Sequence, residues 1–550
     1  MDQLELEDNF SEANLENLVL KTKTFYMKKA FNKTLIIIPI LLVLGIAVFL
    51  IIYFLLYRGG KIICLYETTK DKEDVQLINI NDDITFSLKI DENEYDGIKK
   101  YTFEKAGLHR VTFHFKQKLD SLDDLFKGLS HLIEVDFSEL VTEEIKSMSS
   151  TFAYCNNLKK VNFNKETPNL EDMSYMFFSC ESLNNMNLKL DTSKVKRMDF
   201  MFYNCHELVY LDLSSFNLEN LSKAPNMFAF CTKLKEIKFK DSTRTSNLEE
   251  MTEIFSHCES LEHINTKIFK TKKIKNLNYI FENCFSLKEL DLSHLETENI
   301  EEAIGTFKNC RSLESLNISN LDTSKLKKIS HIFYGCSNLT SINLPSINTN
   351  ELLYASNAFY NCQSLTSLDL SSFNFGKLIS AKNMFHNCIN IKTLILPNRM
   401  TSLIRTNNMF ENCNQLQSLN LGFLENANNW HHAEAMFKNC QSLTDLEIPS
   451  VKATYFENTE EMFLECRNLA RINLEGLTAD NIIKMNGMFY NCLNLNYLNI
   501  YNFNTKNAGY SSSILYGVGG GKKIDINFNP NITNEGFKEE LQNLMSNVSF

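Results

Sequence analysis

The chain has 550 residues, a formal net charge of −11, 44% hydrophobic and 22% charged residues. That excludes wholesale disorder, and the 18 Gly and 7 Pro exclude collagen-like or Pro/Gly-rich architectures. An acidic balance without a long Lys/Arg stripe argues against nucleic acid as partner, and 15 cysteines are too dilute for a disulfide-stapled scaffold. At about 150 residues per domain the length suggests three or four domains, unless an internal repeat carries it.

Residues 1–33 form an N-terminal leader read as cytoplasmic, and its first 18 residues are acidic, lightly apolar and without a recognisable site. From Leu35 to Tyr57 the chain runs 23 residues without a charge, against the roughly 20 a helix needs to cross a bilayer. Residues 34–57 are therefore expected to be one transmembrane helix rather than a cleaved signal, since no small-residue cleavage site follows. Lys21, Lys23, Lys28, Lys29 and Lys33 precede the span, whereas Arg58 and Lys61 alone follow it before Lys70. The positive-inside rule then puts the N-terminus in the cytoplasm and the bulk outside. Lys61-Ile62-Ile63-Cys64 lacks the small residue a lipoprotein signal needs before its cysteine.

Residues 58–117 read as a β-rich juxtamembrane region and N-terminal cap, with Leu108, Val111, Phe113 and Phe115 in strand-like positions. Residues 118–508 carry the repeat. Phe, then Cys three residues later, Leu at Cys+3 (Ile391 after Cys388 being the one exception) and an aliphatic residue at Cys+6 recur fourteen times, from Cys155 to Cys492, at spacings of 25 to 27. One earlier copy (Phe126, Leu129, Leu132, Val135) has Leu in the Cys slot. A fixed period of this size means a solenoid. Within Met198-to-Leu213, Met198, Met201, Phe202, Cys205 and Leu208 fall at helical spacing, and Leu211 and Leu213 alternate. The expectation is an α/β solenoid of about fifteen rungs, with a parallel sheet on one face and short helical segments on the other. Residues 509–550 read as a C-terminal cap with a Gly-rich turn, a strand near Ile524–Phe528 and a polar helix near Glu535–Met545.

The Leu-x-x-Leu-x-Leu core (Leu208, Leu211, Leu213; Leu287, Leu290, Leu292) is that of a leucine-rich repeat. The whole unit, nearly complete at Met173–Leu188, Met198–Leu213 and Met485–Ile500, resembles the BspA-like leucine-rich-repeat surface proteins, in the type common in mycoplasmas and also found in protozoa. The resemblance covers roughly residues 120–505 and implies a surface protein acting by adhesion or protein binding.

One Cys per rung between Phe and Leu reads as a buried free thiol, since zinc sites cluster cysteines at short spacing and no CxxC occurs. Cys+7 falls between two inward strand residues and points outward. This ladder, with its neighbours at Cys+5, is the candidate binding face: Asn187, Tyr210, Asp212, His263, Asn265, Asp291, Asn317, Asn343, Asp369, Asn420, Asn473, Tyr497 and Asn499. The plainer expectation for each residue is an amide or carboxylate bonded from rung to rung on a solvated sheet.

Catalytic signatures are missing. Gly517–Lys523 lacks the first Gly and the Ser/Thr of a phosphate loop, and His431-His432-Ala433-Glu434, beside Trp430, lacks HExxH spacing and reads as a surface cluster. No cofactor or metal is expected. Asn220, Asn317, Asn338, Asn531 and Asn547 each begin a glycosylation sequon, relevant if the bulk is exported. The function expected is noncovalent protein or carbohydrate binding by a single-pass membrane protein at the cell surface; the alternative is a membrane-tethered intracellular scaffold. The sequence names neither the ligand nor the oligomeric state.

Overall fold

The Phe and Cys columns set the architecture. In the computed structural model, which describes residues 20–24, 42–48 and 59–546 except 165, 343–347, 510–511 and 531, every repeat Phe and Cys is buried. Fifteen rings from Phe126 to Phe489 form one continuous pile, with neighbouring centroids 5.4–6.1 Å apart and planes within 26° of parallel. Beside it runs the thiol column. Each of the fourteen Cys Sγ–H groups donates to the carbonyl of the Phe one rung earlier, as from Cys284 to Phe255 (3.2 Å) and from Cys362 to Phe333 (3.1 Å). All fifteen cysteines are buried and free. A thiol suits this slot because it is small, apolar enough to bury and still donates weakly to a carbonyl.

The strand positions also stack in register. Tyr210–Asp212 pairs in parallel with Glu236–Lys238, Glu289–Asp291 with Ser315–Asn317, and Ser367–Asp369 with Thr393–Ile395. Each of these three-residue strands is exposed, buried, exposed, as period-two geometry requires. Among the described residues, two rungs carry a short 3-10 turn at the end of the strand position, at Thr266–Ile268 and Leu421–Leu424.

The segments leading into each Cys are not helical, which corrects the sequence expectation. In the Cys180 rung the N–H groups of Met173, Tyr175, Phe177 and Ser179 donate to carbonyls of the next rung, while those of Met176, Phe178 and Cys180 close turns on residues three back. The backbone reverses at two positions per rung, Cys−5 and Cys−1, which have positive φ throughout (Tyr175 59°, Ser179 55°; Asn357 58°, Asn361 62°). Left-handed residues four apart break an α-helix and turn alternate N–H groups along the solenoid axis, where the neighbouring rung satisfies them. Consecutive turns put apolar side chains at nearly the helical spacing, so the two are alike in sequence. The Asn column at Cys−1 follows from the same geometry, because Asn tolerates the left-handed region better than most residues.

At the N-terminal end, β1 (Gly60–Thr68), β2 (Glu73–Gln76), β3 (Phe86–Ile90), β4 (Asn93–Asp96), β5 (Lys100–Phe103) and β6 (Gly107–Phe115) precede the first rung strands β7 (Leu132–Asp136), β8 (Lys160–Asn164) and β9 (Asn185–Lys189). One sheet runs β4-β3-β6-β1-β7-β8-β9, antiparallel as far as the β1–β7 pair and parallel beyond it. The solenoid's first strands are thus covered by a folded-back β structure instead of an open edge. At the other end the rung pattern continues one turn past Cys492: Ser513 and Gly517 have positive φ, Leu515 and Val518 are buried, and Asp525–Phe528 pairs in parallel with Tyr497–Ile500. The helix Glu535–Ser546 follows, burying Phe537 and Leu541.

Among the described residues no helix is long and apolar enough to cross a membrane. The expected span falls mostly outside them. Of residues 34–57 only 42–48 are described, and these are helical with exposed apolar side chains, Leu42 at 64% and Ile46 at 51%.

Candidate binding face

The outward strand positions share one surface, but most Cys+7 residues bond locally instead of along the stack. The carboxylate or amide oxygen of Asp212, Asn265, Asp291, Asn317, Asp369, Asn420 and Asn473 accepts the N–H two residues on, from Ser214, Lys267, Ser293, Ser319, Ser371, Gly422 and Glu475 respectively, at 2.8–3.2 Å. This Asx turn ends each strand. Rung-to-rung amide bonds on this face are few, Asn162 to Asp136 (3.0 Å) and Asn473 to Glu447 (3.2 Å) among them. The amide ladder lies instead at Cys−1, where Asn309 donates to Asn283 (2.8 Å), Asn412 to Asn387 (2.6 Å) and Asn439 to Asn412 (2.8 Å).

Tyr210, Asp212, His263, Asn265, Asp291, Asn317, Asp369 and Asn420 are exposed. Asn473 and Tyr497 are half-buried, and the Arg471 guanidinium carbon sits 4.0 Å from the Tyr497 ring centroid. Asn499 is not available: it is 2% exposed, its oxygen accepts from Tyr501 and Asn527, and its amide donates to Glu475. The terminal strand Asp525–Phe528 covers it, a consequence of the extra rung. Asn343 and the side chain of Asn187 lie outside the described residues.

Among the sequons, Asn220, Asn317 and Asn338 are exposed, and Asn531 and Asn547 fall outside the described residues. The Asn220 amide nitrogen already donates to the Ser193 carbonyl (2.7 Å). Trp430 is not part of a surface cluster. It is fully buried, with its ring N–H donating to Thr406 Oγ1 (2.9 Å) and its ring 4.5 Å from that of Phe456, while His431 beside it stacks on Tyr455. No group of three or more His, Cys, Asp or Glu among the described residues is placed to hold a metal ion.

A second feature had no signal in the repeat consensus. On the turn face Tyr175 stacks on Phe200 (5.0 Å) and Phe178 on Tyr203 (4.8 Å), with Tyr154 and Phe230 against the ends of the latter pair. These rings occupy the variable positions Cys−5, Cys−2 and Cys−1. They are visible in sequence only once those positions are known to adjoin.

Electrostatics on the strand face follow from the Asx turns. Hydrogen bonds from the hydroxyl and N–H of Ser214, Ser293 and Ser371 hold Asp212, Asp291 and Asp369 below the usual carboxylate range. A lowered folded pKa stabilises fully above the ordinary value of about 3.9, and that contribution is lost as pH falls through the folded pKa. The urea midpoint is therefore expected to hold between pH 6 and pH 5 and to fall below pH 4. The Asp212→Asn, Asp291→Asn, Asp369→Asn triple variant should flatten that fall. An unchanged acid limb would show that these turns contribute nothing to pH dependence.

Sequence comparison supports what the ladder geometry indicates. The family described as "Mycoplasma protein of unknown function, DUF285" matches residues 120–240, 235–315 and 302–423, more than half the chain, and the "BspA type Leucine rich repeat region" matches residues 380–512. The chain belongs to this mycoplasma-protein family, and its residues 380–512 are BspA-type leucine-rich repeats. Neither family description names an enzymatic activity. No curated protein matches the chain.

Solved structures with detectable likeness include a leucine-rich cell surface protein from Faecalibacterium prausnitzii (14% identity, TM-score 0.29, 72% of this chain and 87% of that one). Others are a TLR13–ssRNA complex (18%, 0.23, 70% and 65%) and the Toll–Spatzle complex of Drosophila (16%, 0.23, 64% and 45%). The chain spans less than two thirds of the TLR13 and Toll chains. At these scores the likeness carries no weight on partners.

Proposed function

We propose that the chain is a single-pass membrane protein that displays its solenoid at the cell surface and binds protein or carbohydrate noncovalently on the strand face, with a cytoplasmic N-terminus. The observation that carries the binding reading is the row of exposed polar side chains, Tyr210, Asp212, His263, Asp291, Asn317, Asp369 and Asn420, on one sheet surface. Stacked repeats make such extended surfaces the usual binding element of solenoids. For the anchor, support comes from the uncharged run Leu35–Tyr57 and from its described part, a helical stretch whose exposed Leu42, Val43, Leu44, Ile46 and Val48 nothing in the solenoid covers. A bilayer would cover them.

A second reading, a scaffold tethered to an internal membrane, is favoured by one observation. Fifteen cysteines without a disulfide suit a reducing compartment. Protease shaving of intact cells separates the two, with the repeats and the leader detected independently. Surface display predicts loss of the repeats and survival of residues 1–33; protection of the repeats until permeabilisation would select the scaffold. Membrane pellets washed at alkaline pH should retain the chain, and its release would overturn the anchor in both readings.

A further inference from the structure

Where the folded-back strands meet the first rungs, the strand face sinks into a hollow of about 530 Å³. Four strands cross its floor side by side, β6, β1, β7 and β8. The pairing aligns Arg110, Leu65, Glu134 and Lys160 in one row and Thr112, Ile63, Asp136 and Asn162 in the next. The register slips between Leu65 and Tyr66, at the point where antiparallel pairing gives way to parallel. Irregularities of this kind bend a strand and re-aim its side chains beside functional sites.

The hollow differs from the rest of the strand face in two respects. Its floor is aliphatic, with Ile63 and Leu65 half-buried at outward positions that are mainly polar on later rungs. Its charges are unevenly satisfied. Glu134 pairs with Lys160 (3.2 Å), and Asp136 accepts from the Ser138 N–H (2.8 Å) and from Asn162 (3.0 Å). Arg110 is exposed on the opposite wall, and its guanidinium makes no hydrogen bond or ion pair among the described residues. The group left to be met is thus a planar cation with five donors, beside a floor for branched aliphatic side chains.

We propose that this hollow binds a protein segment in which a carboxylate side chain lies next to Leu, Ile or Val, with Arg110 gripping the carboxylate and Ile63 and Leu65 receiving the aliphatic group. A guanidinium matches a carboxylate through two parallel hydrogen bonds, which supplies orientation as well as attraction. Glu134 and Asp136 on the far wall repel a second acid and so set the direction in which the segment lies. The lining holds no aromatic ring on which a pyranose could stack, which favours a polypeptide over a glycan. The proposal rests on the recognition reading above and locates its anchoring point at the cap–solenoid junction.

The test uses the full chain in lipid nanodiscs, panned with a random-peptide phage library. Peptides carrying Asp or Glu beside Leu, Ile or Val should be enriched, and their binding to Arg110→Gln should fall by about tenfold. Leu65→Ser should weaken the same peptides, whereas Lys377→Gln, remote on the solenoid, should not. Unchanged hydrogen exchange in β1, β6 and β7, the strands that carry the hollow, would show that the variants remain folded there. Absence of acidic-aliphatic enrichment, or equal binding by Arg110→Gln, would overturn the proposal. So would Arg110-dependent binding of sialylated or sulfated glycans on an array without peptide selection. Cell-surface exposure is read separately by protease shaving, so failure here would leave that reading standing.

Discussion

Phe281→Ala is expected to destabilise its stretch of the solenoid by about 3–5 kcal/mol. The ring is 3% exposed and lies between Phe255 (5.6 Å, 13° from parallel) and Phe307 (6.1 Å, 3°). Removing it forfeits the transfer free energy of the side chain and two stacked contacts, and leaves a cavity. That cavity has little freedom to collapse. The backbone on both sides is held to the next rung by N–H groups of Tyr279, Phe281 and Asn283 donating to Ile304, Thr306 and Lys308 at 2.7–2.9 Å. Because each rung contacts only its neighbours, the loss should be local. Hydrogen exchange should rise in rungs 258 to 310 while Trp430, six rungs on, responds little. A change below about 1 kcal/mol, or one spread evenly along the chain, would contradict a buried ring held only by its two neighbours.

The second large effect is chemical silence of the thiols. Burial pushes Cys155, Cys336, Cys388 and Cys466 up to about 12, and raises most of the other ladder thiols well above their ordinary value. At pH 8 that leaves on the order of a thousandfold less thiolate than an ordinary cysteine carries. Occlusion compounds this, since the ladder sulfurs are fully buried with their S–H groups turned onto Phe carbonyls. Ellman's reagent should therefore find no reactive thiol in the native chain and all fifteen in urea. A single fast-reacting cysteine would identify a rung that opens in the native state, and oxidation of the folded protein should form no disulfide. The ladder thus acts as a packing device, its thiols turned inward onto Phe carbonyls.

The inward-facing pattern was legible because it is strictly periodic. Phe at Cys−3, Leu (Ile391 once) at Cys+3 and the apolar residue at Cys+6 have one arrangement that turns them all inward; the first two are buried throughout, and the third is buried except at Met186, Ile264, Ile342 and Leu419, which are half-buried. The segment before Cys was misread as helix because consecutive turns and a helix space apolar residues alike. The distinguishing signal was the Asn-rich Cys−1 column, whose meaning lies in φ rather than in hydrophobicity. The last rung was missed because Leu515 and Val518 replace Phe and Cys. Its one sequence mark is Gly517, 26 residues after Asn491, the preceding left-handed position in its column.

By itself the sequence determined the period, the buried columns, the solenoid they demand and the family, since each follows from which residues must leave water together. Only the tertiary structure decided where the hydrogen bonds go. The Cys+7 carboxylates and amides turned out to end their own strands, the Cys−1 amides to link the rungs, and Asn499 to lie beneath a terminal strand. It also brought Arg110 opposite Glu134 across Leu65, three residues from three different strands. Such pairings depend on register between distant segments, and hydrophobic periodicity is blind to register among polar positions because any of them can be satisfied by water until the fold excludes it.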